Sequence, residues 1–306
     1  MANKKLQNFG GQWTSEKIEA LGRYLKEYLK IIKKRNFRSF YIDAFAGTGY
    51  INLRKSKDKS ESQLSLIELN DPSYERMIDG SVKVALSLEK EFDYYIFIEK
   101  EKEKIDILQN LLDRCEDKKN KIRLINGDCN NELLKICKFF NQHQSYRGVL
   151  FLDPFGMSVK WDTIKAIADT KKFDVWMLVP LGIGAGRLLT NQYSKITVAN
   201  KNKLNEFFGT QDWEDCFYKE NTQLNLFNQK EKVKYSNYDK LENFYFERLK
   251  SVFAAVSPYT YRMINSKNST LFSLYFAVSN PNAIKVSLKI AEHILKNNIN
   301  GSKIIN

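Results

Sequence analysis

Phe40-Tyr41-Ile42-Asp43-Ala44-Phe45-Ala46-Gly47-Thr48-Gly49 decides how the rest of this chain is read. Phe40-Tyr41-Ile42 is a short apolar run of the kind a buried strand shows, and it leads straight into a turn bearing two glycines. Glycine lets a backbone adopt positive φ and come close to a bound molecule. Asp43-x-Phe45-x-Gly47-x-Gly49 therefore reads as a ligand loop at a strand end, with an ordinary glycine-bearing turn as the plainer alternative.

Upstream, apolar residues recur as Ile18, Leu21, Leu25, Tyr28 and Ile32. That spacing predicts an amphipathic helix from Trp13 to about Arg35, with Thr14 or Ser15 as its N-cap. Downstream, residues 54–72 are polar and charged and read as an exposed loop. Gly80-Ser81 opens a helix with Val82, Ala85, Leu86 and Leu88 inward. Four apolar strands follow: 94–98 ending at Glu99, 122–125 ending at Asn126-Gly127-Asp128, 148–152 ending at Asp153, and 174–179 ending at Pro180. Helices centred near 105–112, 132–140 and 161–168 separate them. Strands that are apolar throughout and alternate with helices imply a parallel sheet covered on both faces. Ligands bind such sheets beyond the carboxyl ends of the strands, and Asp43, Glu99, Asp128 and Asp153 all fall there.

Residues 191–237 are polar with scattered aromatics, among them Phe207, Phe208, Trp213, Phe217, Tyr218 and Phe227, and read as an insertion or lid. A helix over 238–254 and strands over 259–264 and 271–278, joined by Asn265-Ser266-Lys267-Asn268-Ser269, give a hairpin signal. A last helix covers 283–295. The expectation is one domain over 1–306, with a helical extension at 1–36 and an insertion at 191–237.

The chain has 306 residues, 43% of them hydrophobic, and no internal repeat or low-complexity segment. Lys and Arg number 49 against 36 Asp and Glu, a net charge of +13. This excess favours a nucleic-acid partner, or it only keeps the surface solvated. No apolar run approaches the roughly 18 residues that span a membrane, and the start shows no secretory signal. The four cysteines form no C-x-x-C pair and there are only two histidines, so neither a metal site nor a disulfide framework is indicated. A cytoplasmic protein with reduced thiols is expected. No G-x-x-x-x-G-K-[ST] loop argues for a P-loop nucleotidase. Neither His143 nor His293 has a nucleophile partner, so a hydrolase triad is not supported. Two further glycine clusters are Phe9-Gly10-Gly11 and 181–186; the second, beside Arg187, has G-x-G-x-G spacing and reads as a flexible connector, with a substrate or lid contact as the alternative.

The D-x-F-x-G-x-G turn resembles the first motif of S-adenosylmethionine-dependent methyltransferases, in which Asp43, Ala44, Phe45, Gly47 and Gly49 would line the cofactor. Glu99 is placed to accept from a ribose diol, or is a solvated strand-end carboxylate. Asp128 resembles the position that receives the adenine amino group, or caps the next helix. Asp153-Pro154-Phe155-Gly156 resembles the D/N-P-P-Y/F motif of enzymes that methylate an exocyclic amino nitrogen. In those enzymes the Asp side chain and the following carbonyl accept the target's N–H groups while an aromatic ring stacks on the base. Here Phe155 replaces the second proline and Gly156 the aromatic residue, so the stacking role of Phe155 departs from that pattern. A plain strand-ending turn is the alternative.

Taken together, the early helix, 41–49, Gly80-Ser81 with Ala85-Leu86, Phe97-Ile98-Glu99 and 151–156 resemble the three-Cys-motif partner family of bacterial and phage proteins. That family usually carries proline at the position of Thr48. The resemblance covers about the first 190 residues. It implies a Rossmann-like class I methyltransferase fold, α/β, with a mainly parallel seven-stranded sheet and a C-terminal hairpin. It also implies S-adenosylmethionine as cofactor and association with a separate three-cysteine, radical-S-adenosylmethionine-like protein. Three functions follow as expectations: methyl transfer to an amino nitrogen of a nucleic-acid base, a non-catalytic or partner-dependent cofactor-binding subunit, or methylation of a protein or small molecule.

Overall fold

The computed structural model describes residues 12–52, 77–221, 231–265, 268–298 and 302–305. The loop expected over 54–72, the Phe9-Gly10-Gly11 cluster, Phe227 and Ser266-Lys267 lie outside the described residues. The central sheet contains β1 (Arg38–Asp43), β2 (Tyr94–Glu99), β3 (Ile122–Asn126), β4 (Tyr146–Leu152), β5 (Phe173–Val179), β6 (Tyr259–Ile264), β7 (Thr270–Val278) and β8 (Ser302–Ile304). Their spatial order is β8-β6-β7-β5-β4-β1-β2-β3, and a two-residue strand, Ala255–Val256, pairs with β7. β1 to β5 are mutually parallel, and β7 joins β5 antiparallel with Val179 opposite Ser273. The sheet therefore exceeds the expected seven strands by the short edge strand β8 and the Ala255–Val256 pair.

Alternation along these strands sends side chains to opposite faces. Phe40, Ile42, Ile96, Leu150, Leu152, Val175 and Met177 face one core, whereas Tyr41, Phe97, Val149, Phe151, Trp176 and Leu178 face the other. The second core is covered by α1 (Gln12–Ile32), α2 (Ser81–Leu86), α3 (Lys102–Leu112) and, near the chain end, α9 (Ile284–Asn298). The first is covered by α4 (Cys129–Asn141), α5 (Trp161–Asp169), α6 (Val198–Phe208), α7 (Trp213–Phe217) and α8 (Tyr238–Lys250). From β1 the chain steps outward to β2 and β3 over one face, then returns by α4 over the other face to lay β4 on the opposite side of β1. The order thus reverses between β1 and β4, which opens a crevice at their carboxyl ends.

Two expectations change. α1 begins at Gln12, so Thr14 and Ser15 lie inside the helix rather than capping it. The glycines of 181–186 form no flexible connector: residues Leu181–Ala185 make a π-helical turn with Leu181 and Ala185 buried. A Cβ on Gly182 would fall 2.0 Å from the Thr270 carbonyl oxygen, and one on Gly184 2.8 Å from the Met157 side chain. Glycine serves close packing here.

The segment after Asn191 also builds core. Phe207 and Phe208 of α6 are buried against Tyr245, which meets Trp161, and Trp213 and Phe217 of α7 are buried beside Tyr218 and Phe244. α1 is anchored on the sheet by buried side chains. Leu21, Tyr24, Leu25 and Leu29 are fully buried, each worth about 1.5–3 kcal/mol. Tyr24 donates to Asp174 at 2.6 Å, and Ser287 of α9 donates to the same carboxylate at 2.9 Å. Burial pushes the Asp174 carboxyl up to about 6, against the two hydroxyls that stabilise its charge.

Candidate functional site

β1 delivers Asp43 to the crevice and buries it completely beneath the glycine turn. Its carboxylate accepts from the Phe45 N–H at 3.1 Å, the Ser81 hydroxyl at the start of α2, and Tyr41 at 3.4 Å. Burial pushes this carboxyl up to about 6, while the Ser81 and Phe45 donors favour its charge and the nearby Asp153 opposes it. Asp43 thus shapes the loop from below.

The turn hangs between neighbouring strands. Ala44 N–H donates to Phe151 O at 3.1 Å and Ala46 N–H to Ile98 O at 3.0 Å. Gly47 has φ +59° and Gly49 φ +78°, the left-handed region that favours glycine. A Cβ on Gly49 would press on Leu111 at 2.9 Å, so this glycine is needed for packing against α3. A Cβ on Gly47 would meet nothing within 4 Å. The loop's crest therefore faces open space.

Glu99 closes the β2 side of the crevice and is only 6% exposed. It accepts from Gly47 N–H at 3.0 Å and from the Lys100 and Glu101 N–H groups at 2.8 Å each. A carboxylate offers about four lone-pair sites, so one acceptor position remains. Asp128, at the end of β3, caps α4 by accepting from Asn130 N–H at 3.1 Å and Asn131 N–H at 3.3 Å through one oxygen. Its other oxygen lies 4.0 Å from Lys100 Nζ.

β4 delivers Asp153, which stands beside Asp43 at the switch point. Its carboxylate is ion-paired with Lys17 of α1, a side chain only 7% exposed. Pro154 is buried, and Phe155 projects into solvent at 76% exposure with Lys104 Nζ 4.8 Å from its ring centre. Gly156, at φ +64°, turns the chain behind it. Residues 158–163 are held by Asn130, which is 5% exposed. Its amide donates to Ser158 O at 2.8 Å and accepts from Lys160 N–H at 2.9 Å and Thr163 Oγ1 at 2.8 Å.

The crevice therefore brings together Asp43, Ala44, Phe45, Gly47, Gly49, Glu99 and Asp153, with Asp128 beyond Glu99 and Phe155 at the rim. Lys17 and Asn130 are the site residues that sequence reasoning missed. Lys17 meets Asp153 across 136 residues, which no local pattern reveals, and Asn130 looks like one more polar residue in a helix start. A cleft of about 340 Å³ lies elsewhere, between α8 and β6 with Asp239, Glu242, Arg262 and Lys303 in its walls. Its charges neutralise one another, so the strand ends remain the better site. Among the described residues no group of three or more His, Cys, Asp or Glu converges, all four cysteines are free thiols, and no helix is long and apolar enough to cross a membrane.

Five parallel strands with the order reversing at β1–β4, an antiparallel β7 inserted beside β5, and a glycine turn after β1 define the class I methyltransferase fold. No family model matches the chain and no curated protein matches it, so the likeness to the three-Cys-motif partner family stands on the quoted motifs alone. Among solved structures, a Legionella pneumophila protein described by the family model DUF519 is similar at 13% identity, covering 94% of each chain with a TM-score of 0.48. A putative S-adenosylmethionine-dependent methyltransferase from Listeria monocytogenes is similar at 8% identity, over 85% of this chain and 98% of that one, with a TM-score of 0.37. The putative methyltransferase yhhF from Escherichia coli is similar at 15% identity, over 53% of this chain and 70% of that one, with a TM-score of 0.31. The fold assignment rests on the sheet order and not on these similarities.

Proposed function

We propose that the chain is an S-adenosylmethionine-dependent methyltransferase acting on an exocyclic amino nitrogen of a nucleic-acid base. The observation that carries this reading is the meeting of two features at one switch point. The crest of the Gly47 turn faces open space, and Asp153-Pro154, followed by the exposed Phe155, stands at the end of the adjacent strand. S-adenosylmethionine, when bound, supplies an electrophilic sulfonium methyl. Gly47 and Gly49 would hold its amino-acid part, the remaining acceptor position of Glu99 its ribose, and the uncapped oxygen of Asp128 its adenine amino group.

The chain's own contribution is orientation of a weak nucleophile. Asp153 and the Pro154 carbonyl accept the two N–H groups of the target, which turns the nitrogen lone pair toward the methyl. Phe155 offers an exposed ring on which a base can stack, and a base in a duplex must be flipped out to reach it. The net charge of +13 suits a polyanionic substrate.

One observation favours a second reading, a partner-dependent subunit working with the three-cysteine protein that the resemblance implies. Lys17 pairs with one oxygen of the Asp153 carboxylate, so target N–H groups would share that group with an ammonium. Calorimetric titration with S-adenosylmethionine and S-adenosylhomocysteine tests the shared premise. Micromolar binding by the wild type and by Asp153→Ala, with S-adenosylhomocysteine formed from RNA or DNA by the wild type alone, supports transfer. Absence of binding to either ligand removes the reading.

A further inference from the structure

The opposite edge of the sheet carries a feature that the crevice does not use. Lys34 and Arg35 follow α1, Arg38 starts β1, Arg147 starts β4, and Lys171-Lys172 precede β5. These strand starts are neighbours: Arg38 is in register with Tyr146, Ser39 with Arg147, and Lys172 O accepts from Gly148 N–H at 3.0 Å. Adjacent strands lie about 4.8 Å apart, so the three starts form one row about 10 Å wide, with Arg38 and Arg147 on opposite sides of it.

Carboxylates do not balance this row. Asp93 is taken by Lys33 at 2.7 Å, and Asp174 is buried and bonded to Tyr24 and Ser287. Asp169 remains at the end of α5. Among the described residues none of the six cations makes a salt bridge. Arg147 and Lys172 instead donate to backbone carbonyls, Arg147 to Gln144 O and Tyr146 O at 2.7 Å, and Lys172 to His143 O at 2.5 Å. Burial and then the neighbouring Arg147 hold the Lys172 ammonium below its ordinary range. Arg147 Nε is buried without a partner. Lys171 is held at φ +55°, a conformation uncommon outside glycine.

Aromatic rings border the row. The Arg147 guanidinium lies 4.2 Å over the Phe37 ring, His143 stacks on Tyr146 at 4.5 Å, and Phe139 is 43% exposed beside them. Cations without counter-charges, interleaved with exposed rings, are the composition of a nucleic-acid surface.

We propose that this amino edge docks the phosphate backbone of a nucleic acid. Docking rests on the methyltransferase reading only for the class of partner. β4 has seven residues, so the two edges lie about 23 Å apart. A partner engaging both must be an extended or folded polynucleotide, because no mononucleotide spans that distance.

The test uses fluorescence anisotropy of the full chain with labelled RNA and DNA duplexes of about 20 base pairs, over a salt series. Lys34→Gln, Arg35→Gln, Arg38→Gln and Lys171→Asn are combined in one variant. Lys135→Gln, Lys165→Gln, Lys195→Gln and Lys203→Gln, at exposed lysines away from that edge, remove the same charge in a control. The amino-edge variant should lower the slope of log affinity against log salt by about 3 to 4 and bind at least about tenfold more weakly near 0.1 M salt, with the control changing the slope by less than about 1. Equal slopes in the two variants overturn the proposal, as does binding to anionic phosphatidylserine vesicles but to neither duplex. Titration with S-adenosylmethionine separates the two readings. If the wild type fails to bind the cofactor while the slopes differ, transfer falls and docking stands. If cofactor binding holds while the slopes coincide, docking falls alone.

Discussion

Replacing Asp43 with asparagine isolates the cost of a buried charge beneath the cofactor turn. The side chain keeps its shape, its oxygen can still accept from Phe45 N–H, and the Ser81 hydroxyl can rotate to accept from the new amide. What disappears is the ionisation. The folded carboxyl titrates at about 6 and an unstrained one at 3.8. Ionising it in the folded chain therefore costs on the order of 3 kcal/mol more than in the unfolded chain. The sign follows from proton uptake, since between these two values the native state holds a proton that the unfolded state has released. The stabilising contribution is complete below pH 3.8 and is lost as pH rises through about 6. Urea unfolding of wild type and Asp43→Asn across that range should show the variant gaining relative stability with rising pH. The total gain approaches about 3 kcal/mol, most of it reached between pH near 4 and pH near 7.5. Asp174 also titrates at about 6 but is common to both chains and cancels. Parallel stability curves would refute the argument, because they would mean that Asp43 is not carried as a desolvated charge.

Three further outcomes test other joints of the site. Gly47→Ala, forced to φ +59° with its methyl in the open crest, should fold with about 1 kcal/mol of strain and bind S-adenosylmethionine at least about tenfold more weakly; unchanged affinity by calorimetry would remove the turn from the site. Lys17→Met keeps the buried stem but strips Asp153 of its ammonium, and denaturation should show a loss of about 1–3 kcal/mol, below the range for a fully buried pair because Asp153 is 25% exposed. Asn130→Ala orphans Ser158 O, Lys160 N–H and Thr163 Oγ1 and should cost about 2–3 kcal/mol. Its amide exchange over 154–160 should quicken, and an unchanged rate there would show that Asn130 does not hold the loop.

Strand ends were the legible part of this chain. β1, β2, β4 and β5 are apolar on both faces, so each run announces a buried parallel strand, and the residue that ends it falls at the ligand edge by geometry alone. The helices α1, α3, α4 and α5 show a regular apolar stripe and were equally readable. α6 and α7 were not: Phe207 and Phe208 adjoin, and the apolar residues bunch instead of recurring, because their rings join an irregular aromatic cluster with Phe244 and Tyr245. β8 is three residues long and pairs only by position. The glycines of 181–186 misled because the residue that permits flexibility also permits the closest packing, and only the nearness of Thr270 and Met157 tells the two apart. The Lys17–Asp153 pair was invisible for a simpler reason, since neither residue carries any mark of the other.

The anchors of α1 have a consequence for the order in which the molecule assembles. Its polar attachments reach Asp153, Asp174 and Tyr261, at sequence separations of 136, 150 and 245 residues. α1 therefore waits for polar partners made much later, roughly 8–30 s for Asp174 at about 5–20 residues per second. Until then its apolar face, with Leu21, Leu25 and Leu29, can pack only on what is already made, such as Tyr41, Val82 and Phe92. Locking of α1 by its last polar anchors is a late, long-range step of folding, so a nascent chain stalled before Phe173 has Asp43, its turn and Asp153 for Lys17 but lacks the carboxylate that Tyr24 engages.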